Sequence, residues 1–206
     1  MQPSPRVFHY SLDWRFLLPT TDLRNIGLLL EDDQDFRETL GQVGIQAAQQ
    51  LSLSELKHKN RNEMQSFVMP FGLPTGWVGP KQEDQVEFYA SLHRSLALEG
   101  YLLVGFNNAW NLPTGSRAKY YSSTPRRMSA QLRQAGFQAV EVFGVMQDLA
   151  IPEYIFNLES RSLQFALQNR FRRKPRILRV LRVLAKTIGV ARLANFLPCY
   201  FALASG

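Results

Sequence analysis

The chain has 206 residues, 45% of them hydrophobic, which suits one compact domain with a sizeable core. One cysteine, Cys199, rules out an intrachain disulfide and points to a reducing, cytoplasmic setting. The net charge of +7 is local: nine basic residues and no acid fall in 170–192, leaving 15 basic against 17 acidic residues elsewhere.

No window reaches the apolar length of a membrane-spanning helix, and the opening MQPSPRVFHYSLDWRF lacks the apolar run of a secretory signal. Residues 1–25 read as a loop-rich extension with three prolines and the aromatics Phe8, Tyr10, Trp14 and Phe16. The unbroken apolar run 26–30 predicts a strand buried on both faces. A helix over 35–40, ended by Gly41 or Gly44, and a strand over 45–48 complete a β-α-β unit, whose crossover must be right-handed. Residues 52–65 are polar and solvated. A second apolar run, 66–71, ends in the breaker-rich FGLPTGWVGP.

Val86, Tyr89, Leu92 and Leu96 recur at helical spacing and predict a helix over 83–98, stopped by Gly100 before a strand over 101–106. The irregular segment NNAWNLPTGSRAKYYSS follows. Thr124 and Pro125 are the N-cap and first position of another helix running to about 135, and Gly136 separates it from a strand over 137–143. A basic, amphipathic helical insertion spans about 150–196, and PCYFALA reads as a last apolar strand. Alternating strands and helices predict an α/β domain with a mostly parallel sheet over 26–206.

Two units resemble a known family. LHRSLALEGYLLVGF is similar to the helix and fifth strand of class I SAM-dependent methyltransferases, and TPRRMSAQLRQAGFQAVEVFGV to the helix and sixth strand that follow. PCYFALA resembles their seventh strand, which runs antiparallel to the sixth. The stretch GVMQDLAIPEYIFNLES with the basic segment after it resembles methyltransferase-like proteins of bacterial surface-glycan and natural-product pathways. The resemblance covers about 25–145 and 197–204. It implies a Rossmann-like class I methyltransferase fold with an antiparallel last strand, and S-adenosyl-L-methionine as cofactor. It also implies cofactor-binding positions at Glu31, Asp32, Asp33, Gln50 and Phe71.

Two of those positions depart from the family's pattern. The glycine-rich turn after the first strand becomes Glu31, Asp32, Asp33, Gln34 and Asp35, which adds bulk where the backbone approaches the cofactor and sets four carboxylates near its own carboxylate. The acid at the end of the second strand, which binds the ribose, becomes Ala47, Ala48, Gln49 and Gln50, so only a neutral hydrogen bond is on offer. The resemblance therefore implies either a methyltransferase acting on a small molecule or glycan, or an inactive methyltransferase-like module.

The remaining signals each have two readings. The acidic cluster is either a metal site or general base at a strand end, where such sheets bind ligands, or a helix cap at Asp33 or Asp35 with the other acids solvated. Asn107, Asn108, Trp110 and Tyr120 either grip a substrate, as a sugar or planar group, or anchor a loop. Met69, Pro70 and Phe71 offer no amide to orient an acceptor nitrogen. His9, His58 and His93 lack ligand-like spacing, and no metal site is expected. No Gly-x-Ser-x-Gly occurs, and Cys199 reads as core. In the basic segment Ile177, Leu181, Leu184 and Ile188 form one stripe, widened by Leu178 and Val180, with Arg172, Arg173, Arg176, Arg179, Arg182 and Lys186 as an anionic-partner patch. That pattern fits a helix packed on the domain with a solvated arginine face, an anionic membrane surface or a protein partner; nucleic acid is disfavoured by the lack of aromatics between Arg172 and Asn195.

Overall fold

A run of apolar residues with no polar alternation must be covered on both sides, and 26–29 is such a run. In the computed structural model Ile26–Leu29 forms β1, with Ile26, Leu28 and Leu29 at 0–1% exposure. The structure describes residues 14–19, 26–29, 49–51, 64–79, 81–110, 120–149, 152–172 and 189–206, with 174, 176, 179, 180, 183, 184 and 187. The predicted helix over 35–40, the predicted strand over 45–48 and the polar stretch 52–63 lie outside them.

After β1 come β2 (Gln49–Leu51), β3 (Met64–Met69), α1 (Gln82–Ser95), β4 (Leu96–Asn108), β5 (Ser122–Ser123) and α2 (Pro125–Gln134). Then follow β6 (Ala139–Met146), β7 (Tyr154–Asn157), α3 (Ser160–Arg170), α4 (Val190–Leu193) and β8 (Cys199–Ser205). The sheet order is β2-β1-β3-β4-β8-β6-β7, with β5 beside the end of β4. β2, β1, β3 and β4 are parallel to one another. β8 is inserted between β4 and β6 and runs antiparallel to both, and β7 forms an antiparallel pair with β6. The domain is thus a mostly parallel α/β sheet with an antiparallel last strand, the architecture the sequence implies.

Alternation along the strands divides the core in two. Phe67, Met69, Leu102, Val104, Phe106, Tyr200 and Ala202 face the helices and pack with Phe88, Tyr89 and Leu92 of α1, Met128 and Leu132 of α2, and Leu163 and Ala166 of α3. Val68, Leu103, Phe201 and Cys199 face the other side, where Trp14 joins them with Ile26, Leu28, Val145 and Leu149. The segment read as a terminal extension therefore contributes a core residue: Trp14, in the 3-10 turn Trp14–Leu17, is 5% exposed. Cys199 is core, as expected, at 1% exposure.

Several boundaries differ from the sequence reading. α1 ends at Ser95 rather than at 98, and β4 starts at Leu96. Gly100 is accordingly inside a strand. On β3 two steps, Met64 to Ser66, face five on β4, Leu96 to Tyr101, so the residues between bulge out and Leu98 is 95% exposed. A Cβ on Gly100 would lie 2.8 Å from the Gln65 carbonyl oxygen and 2.9 Å from that of Ala97, which is why glycine stands there. The third strand begins two residues earlier than the run 66–71 and ends at Met69, and the strand after α2 is Ala139–Met146 rather than 137–143. The start of α2 matches: Thr124 Oγ1 accepts the Arg127 N–H at 3.3 Å and Pro125 is the first helical residue. The insertion over 150–196 is not helical throughout, because β7 within it extends the sheet.

Candidate functional site

In an open parallel sheet a ligand crevice forms where adjacent strands connect to opposite sides. Here β2 lies on one side of β1 and β3 on the other, so the crevice opens outside the carboxyl ends of β1 and β3, at Leu29 and Met69. β4 ends at the same edge with Asn107 and Asn108.

The turn after β3 is pinned by backbone. Gly72 has φ +99° and donates its N–H to the Met69 carbonyl at 3.2 Å. A Cβ there would lie 2.5 Å from the Gly105 carbonyl oxygen, so the turn folds onto β4 only with glycine. The fold of this turn leaves Phe71 half-buried at the edge, its ring 6.2 Å from that of Tyr120 and tilted by 49°. Tyr120 is bridged to Pro74, and the Tyr121 N–H donates to the Leu73 carbonyl at 3.0 Å. The Tyr121 hydroxyl donates to the Gly79 carbonyl at 2.9 Å, and β5 then pairs Ser122 and Ser123 with Asn107 and Asn108. Residues 120–123 are thereby held along the crevice rim.

The two asparagines are strand residues, not loop residues, and both are buried. The Asn108 amide donates to the carbonyls of Asn195 at 2.6 Å and Leu197 at 2.8 Å, with the Tyr200 hydroxyl 3.2 Å away. Its oxygen accepts the Trp110 N–H at 3.1 Å. This amide is committed to holding the 195–197 segment on the end of β4, which favours the anchoring reading for Asn108. Trp110 behaves differently: it is 67% exposed and makes an edge-on contact with another exposed aromatic, Phe196, at 5.9 Å and 75°.

Of the other expected site residues, Glu31, Asp32 and Asp33 lie outside the described residues. Gln50 is the central residue of β2, paired with Leu28. Arg172, Arg176 and Arg179 are exposed, and Arg173, Arg182 and Lys186 are outside the described set. The structure brings together Phe71 and Tyr120, and Asn108 with Trp110. It adds Phe196, which the sequence reading passed over; its only signal was an aromatic immediately before the last strand's Leu197-Pro198 entry.

Among the described residues, the strand ends and rim thus present aromatic rings and engaged amides. Buried phenols nearby stay neutral: burial pushes the Tyr200 hydroxyl well above its ordinary range.

No protein-family model and no curated protein matches the sequence. Solved structures do. Over 93% of its length the chain is similar to a SAM-dependent methyltransferase from Archaeoglobus fulgidus, with 12% identity, 90% of that chain covered and a TM-score of 0.52. Over the same share it is similar to a SAM-dependent methyltransferase from Thermotoga maritima, described as a possible histamine N-methyltransferase, with 10% identity, 84% of that chain covered and a TM-score of 0.51. At such identities the likeness establishes the fold alone: a Rossmann-like α/β domain.

Proposed function

We propose that this domain binds S-adenosyl-L-methionine in the crevice outside β1 and β3 and methylates a small molecule or glycan held against the aromatic rim. The observation that carries this reading is the sheet order with its crevice between β1 and β3, in a chain similar in fold at near full length to two SAM-dependent methyltransferases.

The described residues fit a nucleoside. Phe71, half-buried and paired with Tyr120, would hold the flat adenine by dispersion and stacking. In β2 the sequence carries Gln50, a neutral amide, where the family places its ribose-binding acid. The sequence directly after β1, with Glu31, Asp32, Asp33 and Asp35, is complementary to the cofactor's sulfonium and ammonium charges and adverse to its carboxylate. The exposed Trp110 and Phe196 rings give an acceptor an apolar platform. When bound, the cofactor supplies an electrophilic methyl group; the chain's own rim supplies position and exclusion of water.

A second reading has its own support. The missing glycines at 31–35 and the amides in place of an acid at 49 and 50 favour a module that retains the fold without the reaction. Calorimetric titration with S-adenosyl-L-methionine and S-adenosyl-L-homocysteine separates the two. The first reading expects saturable binding of both, weakened about three- to tenfold by Phe71→Ala, the size of one aromatic contact. No heat at millimolar ligand overturns it and leaves the module.

A further inference from the structure

We propose that the exposed helical face around Val180 docks on an anionic lipid bilayer. Arg176, Arg179, Val180, Val183, Leu184 and Thr187 are helical and stand at i, i+3, i+4, i+7, i+8 and i+11, so they share one face. All six are exposed, with Val180 at 58%, Val183 at 56% and Leu184 at 39%. Thr187 continues the helical pattern, its hydroxyl donating to the Val183 carbonyl at 2.9 Å. Apolar side chains at these spacings ordinarily face a core; here the row faces solvent.

The charge around that row selects the occupant. No acidic residue follows Glu159 in the sequence, and nine basic residues fall in 170–192. Arg170 is taken by an ion pair with Glu153, while Arg172, Lys174, Arg176, Arg179 and Arg192 are all exposed. A bilayer interface satisfies both halves of this surface, with anionic headgroups for the guanidinium groups and the acyl boundary for the valines and leucine. A nucleic acid would satisfy the arginines but leave Val180, Val183 and Leu184 facing phosphate. At helical rise, residues 176 and 187 stand about 17 Å apart, short of the hydrocarbon thickness, so this face would lie in the plane of the interface. Among the described residues no helix is long and apolar enough to cross a membrane.

The test is co-sedimentation of the full chain with vesicles of phosphatidylcholine alone and of phosphatidylcholine with phosphatidylglycerol. The protein is expected to pellet with the anionic vesicles and remain in solution with the neutral ones. Arg176→Gln with Arg179→Gln lowers partitioning about fivefold per charge removed. Val180→Ser with Val183→Ser, which keeps every charge, lowers it at least as far. Both pairs are exposed, and unchanged near-ultraviolet circular dichroism confirms that the variants fold. Failure of the wild type to pellet, equal recovery on both vesicle types, or wild-type partitioning of the serine variant overturns the proposal. The last result, with displacement by single-stranded RNA, would assign the face to nucleic acid; self-association lost in the serine variant, without vesicle binding, would assign it to a second copy of the chain. None of these outcomes depends on whether the crevice binds a nucleoside.

Discussion

Asn108 shows how one side chain can look like a ligand contact and be a clamp. Its place after an apolar run, among other amides and beside Trp110, reads from sequence as a polar rim. The carbonyls it satisfies, those of Asn195 and Leu197, lie more than 80 residues further on, and no local pattern announces a partner at that distance. Asn108→Ala leaves those carbonyls and the Trp110 N–H without this partner and is expected to cost about 2–4 kcal/mol, read by denaturant unfolding. Asn108→Asp sets an acceptor against acceptors. The carboxyl's folded-state pKa is then raised, so the deficit is largest at neutral pH and shrinks as pH falls and the acid regains a proton. A flat deficit across that range would show that the amide's donors are not what matters. Buried tyrosines give a second residue-scale signature. Burial pushes the phenols of Tyr89 and Tyr200 well above their ordinary range. Neutral phenol is the form the fold favours, so this stability is fully present below about pH 10, the pKa of the unfolded group, and is lost as pH rises above it. Absorbance titration of phenolate is expected to show these two ionising only as the chain unfolds, and Tyr89→Phe is expected to raise the alkaline unfolding midpoint.

At the scale of elements, legibility follows how much of the signal is local. The Thr124-Pro125 start of α2 is decided by one side-chain hydrogen bond and one fixed φ, both written in adjacent residues, and it was readable to the residue. The α1–β4 junction is not local. Leu96 fits the helical spacing of Val86, Tyr89 and Leu92, and Gly100 looks like a stop. Pairing of Leu96 with Met64 and of Tyr101 with Ser66 instead draws the chain into the sheet early and leaves a bulge. Gly100 is there because a backbone passes close by, which sequence periodicity cannot show. Gly100→Ala brings a Cβ within 3.0 Å of two carbonyl oxygens and is expected to destabilise by about 1–3 kcal/mol. Leu98→Ser, at the tip of the same bulge, is expected to be neutral within about 0.5 kcal/mol. Equal effects at the two positions would mean that the bulge is not held as described.

At the scale of the molecule, the half from Leu92 onward was the readable one, because its helix, glycine and strand signals come in an order that few folds share. The crevice was less readable, since it is assembled from three strand ends with a rim supplied by residues 120–123, far from each in sequence. The last strand shows what such assembly demands. β8 is seven residues long, last in the chain and internal in the sheet, pairing along its length with β4 on one side and β6 on the other. Tyr200, Phe201, Ala202 and Ala204 are at 0–1% exposure, so it contributes to both core faces. Without it, β6 and β7 lose their connection to the parallel strands, and β4 gains an open edge of unpaired N–H and carbonyl groups. A chain ending at Pro198 is therefore expected to lose cooperative unfolding altogether, with no thermal transition and with exposed apolar surface that binds a hydrophobic dye. A chain ending at Pro198 that still melted cooperatively would show that β1–β4 and the helices stand alone, and would make the β6–β8 layer an addition to the domain rather than part of its core.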